Sequence, residues 1–272
     1  MSKTGNSFLK RWLTGIILVP VLMIVILLGS KEIFAAVIIL FILGGVWEYN
    51  NMVFGKGFAI EKIEGLIFAI IIPVFVLCGS VQYVLAVLAF SVLIVFIIFL
   101  WSIKASNYDF LSVTKVIFGI MYIPFLMSYF IALRMLDKGA LWIFYILVLA
   151  FAGDIVALYV GKYLGKHKLV PLISPGKTVE GLIGLVFGST LACLIFSYYF
   201  LPEISLIQIA ILSIVGSIIG QLGDICESAI KRHYGLKDAS SLLPGHGGIL
   251  DRLDCLIFIA PFVYYYRVFV IG

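Results

Sequence analysis

Long apolar runs, separated by short polar breaks, make up most of this chain and set the elements it predicts. Leu13 to Leu28 and Val84 to Trp101 are nearly unbroken. A half-buried strand would alternate and a surface helix would carry a polar stripe. A hydrocarbon core about 30 Å thick takes about 20 apolar residues of helix. On that measure the runs predict nine spans: Leu13 to Leu28, Ile33 to Tyr49, Ile63 to Cys78, Val81 to Trp101, Val116 to Met135, Leu141 to Val160, Leu182 to Phe200, Leu206 to Leu222 and Leu256 to Ile271. Backbone groups in lipid must be satisfied within the segment, so helices do the spanning; the runs are too long and too uniform for the short alternating segments of an outer-membrane barrel. Pro20, Pro73 and Pro124 fall inside spans, where neighbouring helices can re-satisfy the freed carbonyl. The predicted fold is an all-α polytopic integral membrane protein of about nine transmembrane helices.

Composition agrees. The chain is 63% hydrophobic and 12% charged, against roughly half and a quarter in soluble domains, which excludes a soluble Rossmann, barrel or sandwich enzyme. The net charge of +5 suits anionic headgroups or phosphorylated substrates more than nucleic acid. Lys10 and Arg11 before the first run imitate a secretory signal, but no small-residue cleavage site follows, so an uncleaved span is expected. Placing the N-terminus in the cytoplasm leaves only Lys31, Arg134, Lys138 and Arg267 of the 19 basic residues on the opposite side. That bias puts the C-terminus across the membrane. The four cysteines have no C-x-x-C spacing and indicate neither zinc nor a disulfide.

The two halves differ in kind. Residues 1–140 hold about five spans with short, chemically dull connections. Residues 141–272 hold two long polar segments, 161–181 and 223–254, both predicted on the cytoplasmic side and together carrying all three histidines. No repeat of fixed period is visible, so an inverted-repeat transporter finds no support. Gly161 with Gly165, and Gly216 with Gly220, have the small-x-x-x-small spacing that lets helices approach closely. This spacing is expected to serve packing within the chain; a homodimer is left open.

Asp154 interrupts an apolar run, where a carboxylate is costly unless it faces protein or water, and Lys162, two helical turns on, is expected to bring it a counter-charge. Ser174 to Gly181 contains Gly-Lys-Thr, yet the glycine a Walker loop needs five positions earlier is Pro171. What remains is a turn at Pro175 and Gly176 followed by a helix start. There, backbone amides with Lys177 and Thr178 suit a phosphate oxygen. The densest chemistry is Asp224 and then Ser228 to Asp254. Asp251 and Asp254 are three apart, on one face if the last helix begins near Ile249. Three carboxylates with few imidazoles suggest Mg²⁺, with room for a second ion. Lys231, Arg232, Lys237 and Arg252 beside them, and exposed amides at His246-Gly247-Gly248, are what phosphoryl or nucleotidyl transfer needs.

Ser228 to Asp254 resembles the signature of the phosphatidate cytidylyltransferase family, also called CDP-diacylglycerol synthase. The pattern of Ser, Lys-Arg, Lys-Asp, His-Gly-Gly and Asp-Arg-x-Asp is met by Ser228, Lys231, Arg232, Lys237, Asp238, His246, Gly247, Gly248, Asp251, Arg252 and Asp254. A second likeness covers Asp154, Tyr159, Gly161, Lys162 and Gly165, then Ser174, Pro175, Lys177, Thr178, Glu180 and Gly181. Gly176 departs from it, since the family commonly has a Lys or polar residue there. The resemblance covers the second half of the chain closely, the first half only in being spans.

It implies Mg²⁺-dependent condensation of CTP with phosphatidic acid, giving CDP-diacylglycerol and pyrophosphate for phospholipid biosynthesis, on the cytoplasmic face of the cell inner membrane. Asp224, Asp251 and Asp254 are then the expected metal ligands, and Lys231, Arg232 and Lys237 the expected cations for phosphate charge. Asp154, Lys162, Ser174, Lys177, Thr178, Ser228, His246, Gly247, Gly248 and Arg252 complete the expected substrate-binding set. The rival readings are a CTP-dependent polyprenol kinase, similar in its loops, and a transporter using Asp154 as an ion site. A CDP-alcohol phosphotransferase would need a D-G-x-x-A-R string, which the chain lacks.

Overall fold

A computed structural model describes residues 16, 19–55, 59–79, 81–103, 109–242 and 247–272. The start of the first predicted span, and His246 among the expected site residues, lie outside them.

The chain is mostly helical. Among the described residues seven helices are long and apolar enough to cross a membrane: Lys31–Phe54, Tyr83–Trp101, Phe110–Met135, Gly139–Leu164, Val179–Phe200, Leu206–His233 and Leu250–Ile271. Each coincides with a predicted run. The described parts of the other two runs are also helical. Val19–Leu28 (α1) is a shorter apolar helix, and Ala59–Leu77 (α3) opens on the charged residues Glu61, Lys62 and Glu64. An integral membrane protein built of helices is therefore what the coordinates support.

The chain divides into two compact units. One comprises Met1–Met135 with Asp238–Asp251; the other comprises Leu136–Lys237 with Arg252–Gly272.

In the first unit, α1 is followed by α2 (Lys31–Phe54), α3, α4 (Val81–Ile103), α5 (Phe110–Ile120) and α6 (Tyr129–Met135). Pro124 sits in a π-helical turn, Met121–Phe125, that joins α5 to α6. A proline cannot donate to the helical ladder, and the wider turn accommodates it. Polar side chains hold α2 in place: the Tyr49 hydroxyl donates to the Lys115 carbonyl at 2.9 Å, and Asn50 Nδ2 to the Lys62 carbonyl at 3.0 Å.

The second unit contains α7 (Gly139–Leu164), a hairpin of β1 (Lys168–Val170) and β2 (Ser174–Thr178), α8 (Val179–Phe200), α9 (Leu206–His233) and most of α10 (Leu250–Tyr266). The hairpin holds the only strands among the described residues. The expected turn at Pro175 and Gly176 lies within β2 instead, paired antiparallel with Lys168 opposite Thr178 and Val170 opposite Ser174. α7 and α8 approach closely because α8 presents glycines to valines. A Cβ on Gly184 would come within 2.9 Å of Val160, and one on Gly188 within 2.5 Å of Val156. Gly216 and Gly220 likewise face Leu149 and Ile259, so their spacing serves packing within this unit.

Candidate active site

Two helices of the second unit bring acids to one small cleft, and a third brings another acid within electrostatic reach of them. Asp154 of α7 and Asp224 of α9 line it together with Ser217, Gln221, Cys255 and Ile259. Asp254 of α10 interacts electrostatically with both Asp154 and Asp224. The approach of α9 to α10 depends on Gly223, where a Cβ would lie 2.6 Å from the Asp254 carbonyl oxygen. A backbone atom cannot step aside as a side chain can, so only glycine fits.

Cations meet these acids from two directions. Lys177 reaches in from β2 and pairs with Asp224 Oδ2 at 2.5 Å, and it is Lys177 that brings counter-charge to Asp154. Lys162, expected in that role, lies with its ammonium 5.4 Å from the Tyr163 ring centroid. The correction has a simple cause: the hairpin folds back over the end of α7, which sequence spacing along one helix does not reveal. From α9 comes Lys231, buried and paired at 2.5 Å with the fully buried Glu227 one turn earlier. Lys231 also interacts with Asp254.

The hairpin that delivers Lys177 is tied down at several points. Thr178 caps α8, its Oγ1 accepting from Gly181 N at 3.0 Å, as an N-cap hydroxyl should. Gly161 and Gly165 leave room for that threonine, with Cβ positions 3.1 and 2.9 Å from its Oγ1. The Glu180 carboxylate accepts from the Lys166 amide at 3.0 Å and sits 2.7 Å from His167 Nδ1. Ser174 opens β2 opposite Val170. Arg232 donates through Nε to the Ile173 carbonyl at 3.1 Å and through Nη1 to the Leu236 carbonyl at 2.9 Å. Expected as a phosphate cation, it pins the hairpin to the end of α9. Ser228 Oγ donates to Asp224 Oδ1 at 3.4 Å. Lys237 and Arg252 are exposed.

Asp251 belongs to the first unit, and its surroundings differ from those of Asp254. Its Oδ2 accepts from Gly248 N at 2.7 Å and Ala239 N at 3.0 Å, and its Oδ1 from Ala239 N at 3.2 Å. Gly247 adopts a left-handed φ of 81°, and a Cβ there would crowd Asp251 Oδ2 at 2.9 Å. The carboxylate is thus a clasp across its own loop, and the Gly248 amide, expected to face phosphate, is the donor that closes it. Sequence reasoning also passed over Glu48 on α2. Its carboxylate accepts from Ser240, Ile249 and Leu250. The signal was present: Glu48 lies inside the run Ile33 to Tyr49, as Asp154 lies inside its own.

Among the described residues, no three His, Cys, Asp or Glu side chains converge as a metal cluster. Mg²⁺ is usually held by one or two carboxylates together with substrate phosphates and waters. Asp224 and Asp254, hard oxygen donors on neighbouring helices, fit that habit; Asp251, filled by loop amides, fits it less well.

The profile of the Cytidylyltransferase family matches residues 9–270. The phosphatidate cytidylyltransferase of Bacillus subtilis (strain 168) is 33% identical over 264 residues, covering 94% of this chain and 96% of that protein. The protein of the same name from Staphylococcus aureus (strain COL) is 32% identical over 92% of this chain and 95% of its own length. That from Staphylococcus haemolyticus (strain JCSC1435) is 36% identical over 61% of this chain and 64% of its own. The match extends over the N-terminal helices as well as the signature, and the chain belongs to the Cytidylyltransferase family of nucleotidyltransferases.

Proposed function

We propose that this chain is a CTP:phosphatidate cytidylyltransferase, moving CMP from CTP onto phosphatidic acid within the bilayer. An oxygen of the lipid phosphate bonds to the α-phosphorus of CTP. The bond from that phosphorus to the oxygen bridging to the β-phosphorus breaks, and pyrophosphate leaves with its electron pair. The lipid phosphate is anionic at neutral pH, so the step calls for alignment and charge neutralisation rather than a strong base. The observation that carries the reading is a small cleft lined by Asp154 and Asp224, with Lys177 paired to Asp224 and with Asp254 and Lys231 in electrostatic reach of it. Such alternation of acids and cations suits a magnesium nucleotide next to a second phosphate.

Asp224 and Asp254 are the residues to hold Mg²⁺, which when bound would neutralise charge on the triphosphate and on the leaving pyrophosphate. Lys177 and Lys231 draw the phosphates toward the acids, and Thr178 fixes the end of the strand from which Lys177 projects. The bias of Lys and Arg along the chain supports nine spans with the N-terminus in the cytoplasm, and in this reading the cleft opens at the cytoplasmic face of the cell inner membrane. There the phosphate of an inner-leaflet lipid lies at its depth. Phosphatidate reaches it sideways, since a diacyl lipid cannot cheaply leave the bilayer.

CTP labelled at the α- or γ-phosphate tests the reaction directly. Label from the α-position should appear in lipid with equimolar pyrophosphate released. Transfer of γ-label with CDP as product would replace this reading by the polyprenol kinase.

A further inference from the structure

Glu48 is completely buried on α2, remote in sequence from both polar segments. Its Oε1 accepts from Ser240 Oγ at 2.6 Å and from Ile249 N at 2.8 Å, and its Oε2 accepts from Leu250 N at 2.7 Å. Gly248 lies against the same carboxylate, where a Cβ would come within 2.6 Å of Oε2. Leu250 begins α10, and the first amides of a helix have no partner within it. They are ordinarily capped by a Ser, Thr, Asp or Asn next to the helix start. Here the acceptor comes from 202 residues earlier in the chain.

The bonds of Glu48 all go to one segment. α2 is fastened to its helical neighbours by Tyr49 and Asn50, so the packing of the helices does not need the acid. A carboxylate placed inside an apolar span is costly unless donors meet it, and the three donors that meet this one lie on the stretch that also contains Gly248. Asp251 clasps that stretch from its other side. Held at both points, it leads directly into α10, on which Asp254 follows one turn later.

We propose that Glu48 is a positioning residue for CMP transfer. It touches no substrate and acts through Ser240 and the Gly248–Leu250 backbone, fixing the glycine turn and the start of α10. The inference rests on the reading that this chain transfers CMP to lipid.

The full-length protein in detergent, assayed with mixed micelles of phosphatidate, tests it through Glu48→Gln, Ser240→Ala and the double variant. Glu48→Gln presents an amide NH₂ to one of its donors and should lower kcat on the order of 100-fold, as small displacements of reacting groups do. KM for CTP should stay within about threefold, the binding cations being elsewhere. Ser240→Ala should lower kcat less, and the two effects should be non-additive, because both break the same contact. Hydrogen exchange supplies a readout independent of turnover. Amides of Ala239–Leu242 and Ile249–Leu250 should exchange faster in Glu48→Gln while those of α2 and α3 keep their protection. Unchanged kcat in both single variants, additive effects, or equal loss of protection across α2 and α3 would overturn the positioning role. A wild-type protein that transfers no α-label would instead overturn the functional reading, and this role with it.

Discussion

Changing Asp251 and Asp254 separately to Asn should produce two different defects, although the residues are three apart and both acidic. Asp251 accepts bonds from two backbone amides across its loop, with Gly248 N at 2.7 Å the shortest. An Asn with its oxygen in the place of Oδ2 still accepts from both amides, but it loses the charge that strengthens those bonds and sets its NH₂ against Ala239 N. A hydrogen bond to a charged group contributes about 1.5–3 kcal/mol. The side chain is only half-buried, so a loss of about 2 kcal/mol is expected, roughly a 30-fold shift toward the open loop. Asp254 instead interacts with two like charges, Asp154 and Asp224. The bond its side chain accepts, from Cys255 N at 2.7 Å, can be accepted equally well by the Asn oxygen. Asp254→Asn should therefore unfold no earlier than wild type in EDTA, yet lose at least about 100-fold in CTP-dependent turnover, on the scale of a lost metal ligand or transition-state charge. Asp251→Asn should unfold earlier than wild type in EDTA. Thermal unfolding followed by fluorescence in detergent, with and without Mg²⁺, reads both. The reasoning is refuted if Asp251→Asn matches wild type in EDTA and differs only when Mg²⁺ is present, the behaviour of a ligand and not of a clasp.

Two further substitutions probe the cleft. Lys177→Met removes the partner of Asp224 and the counter-charge of Asp154; kcat/KM for CTP should fall about 10- to 100-fold, or about 1.4–2.7 kcal/mol, with partial recovery in Lys177→Arg. Gly223→Ala puts a methyl 2.6 Å from the Asp254 carbonyl oxygen. It should destabilise the protein by about 1–3 kcal/mol and reduce turnover, seen as earlier unfolding in detergent alongside the activity assay.

The helices were legible because hydrophobicity is a local property. A run such as Val84 to Trp101 declares its environment without reference to anything else, and each predicted run coincides with a helix. The hairpin was not legible: β1 has three residues and β2 contains Pro175 and Gly176, so neither shows a period that could be read. Asp154 was found by the rule that an acid in an apolar run needs a partner. Its partner was misjudged, because the spacing of two helical turns suggested Lys162 whereas the chain folds back to offer Lys177. The same rule applied to Glu48 would have found it too. It was missed because the polar segments drew attention to the second half of the chain, while the partners of Glu48 lie about 200 residues away. Amides such as Gly248 N raise a similar difficulty. Sequence marks a glycine-rich turn as able to donate, but only coordinates reveal that a neighbouring carboxylate has already accepted.

Asp251 and Asp254, three residues apart, stand in different surroundings for a reason that lies in the start of α10. Three residues along a helix advance about 4.5 Å and fall about 60° short of a full turn. In mid-helix that pair would face one ion together. α10 begins only at Leu250, so Asp251 stands in the first turn. Helical side chains point toward the N-terminus, which turns its carboxylate back onto the amide of Gly248. Asp254 has a full turn of helix before it and lies instead beside Gly223 of α9. One short motif thus supplies both a latch for the glycine turn and an acid for the cleft. Nucleotidyl transfer onto an oxygen that is already anionic gains little from proton transfer, so the chain needs no nucleophile and base in contact. What it needs is a fixed arrangement of charge, and a latch one turn from an acid supplies that.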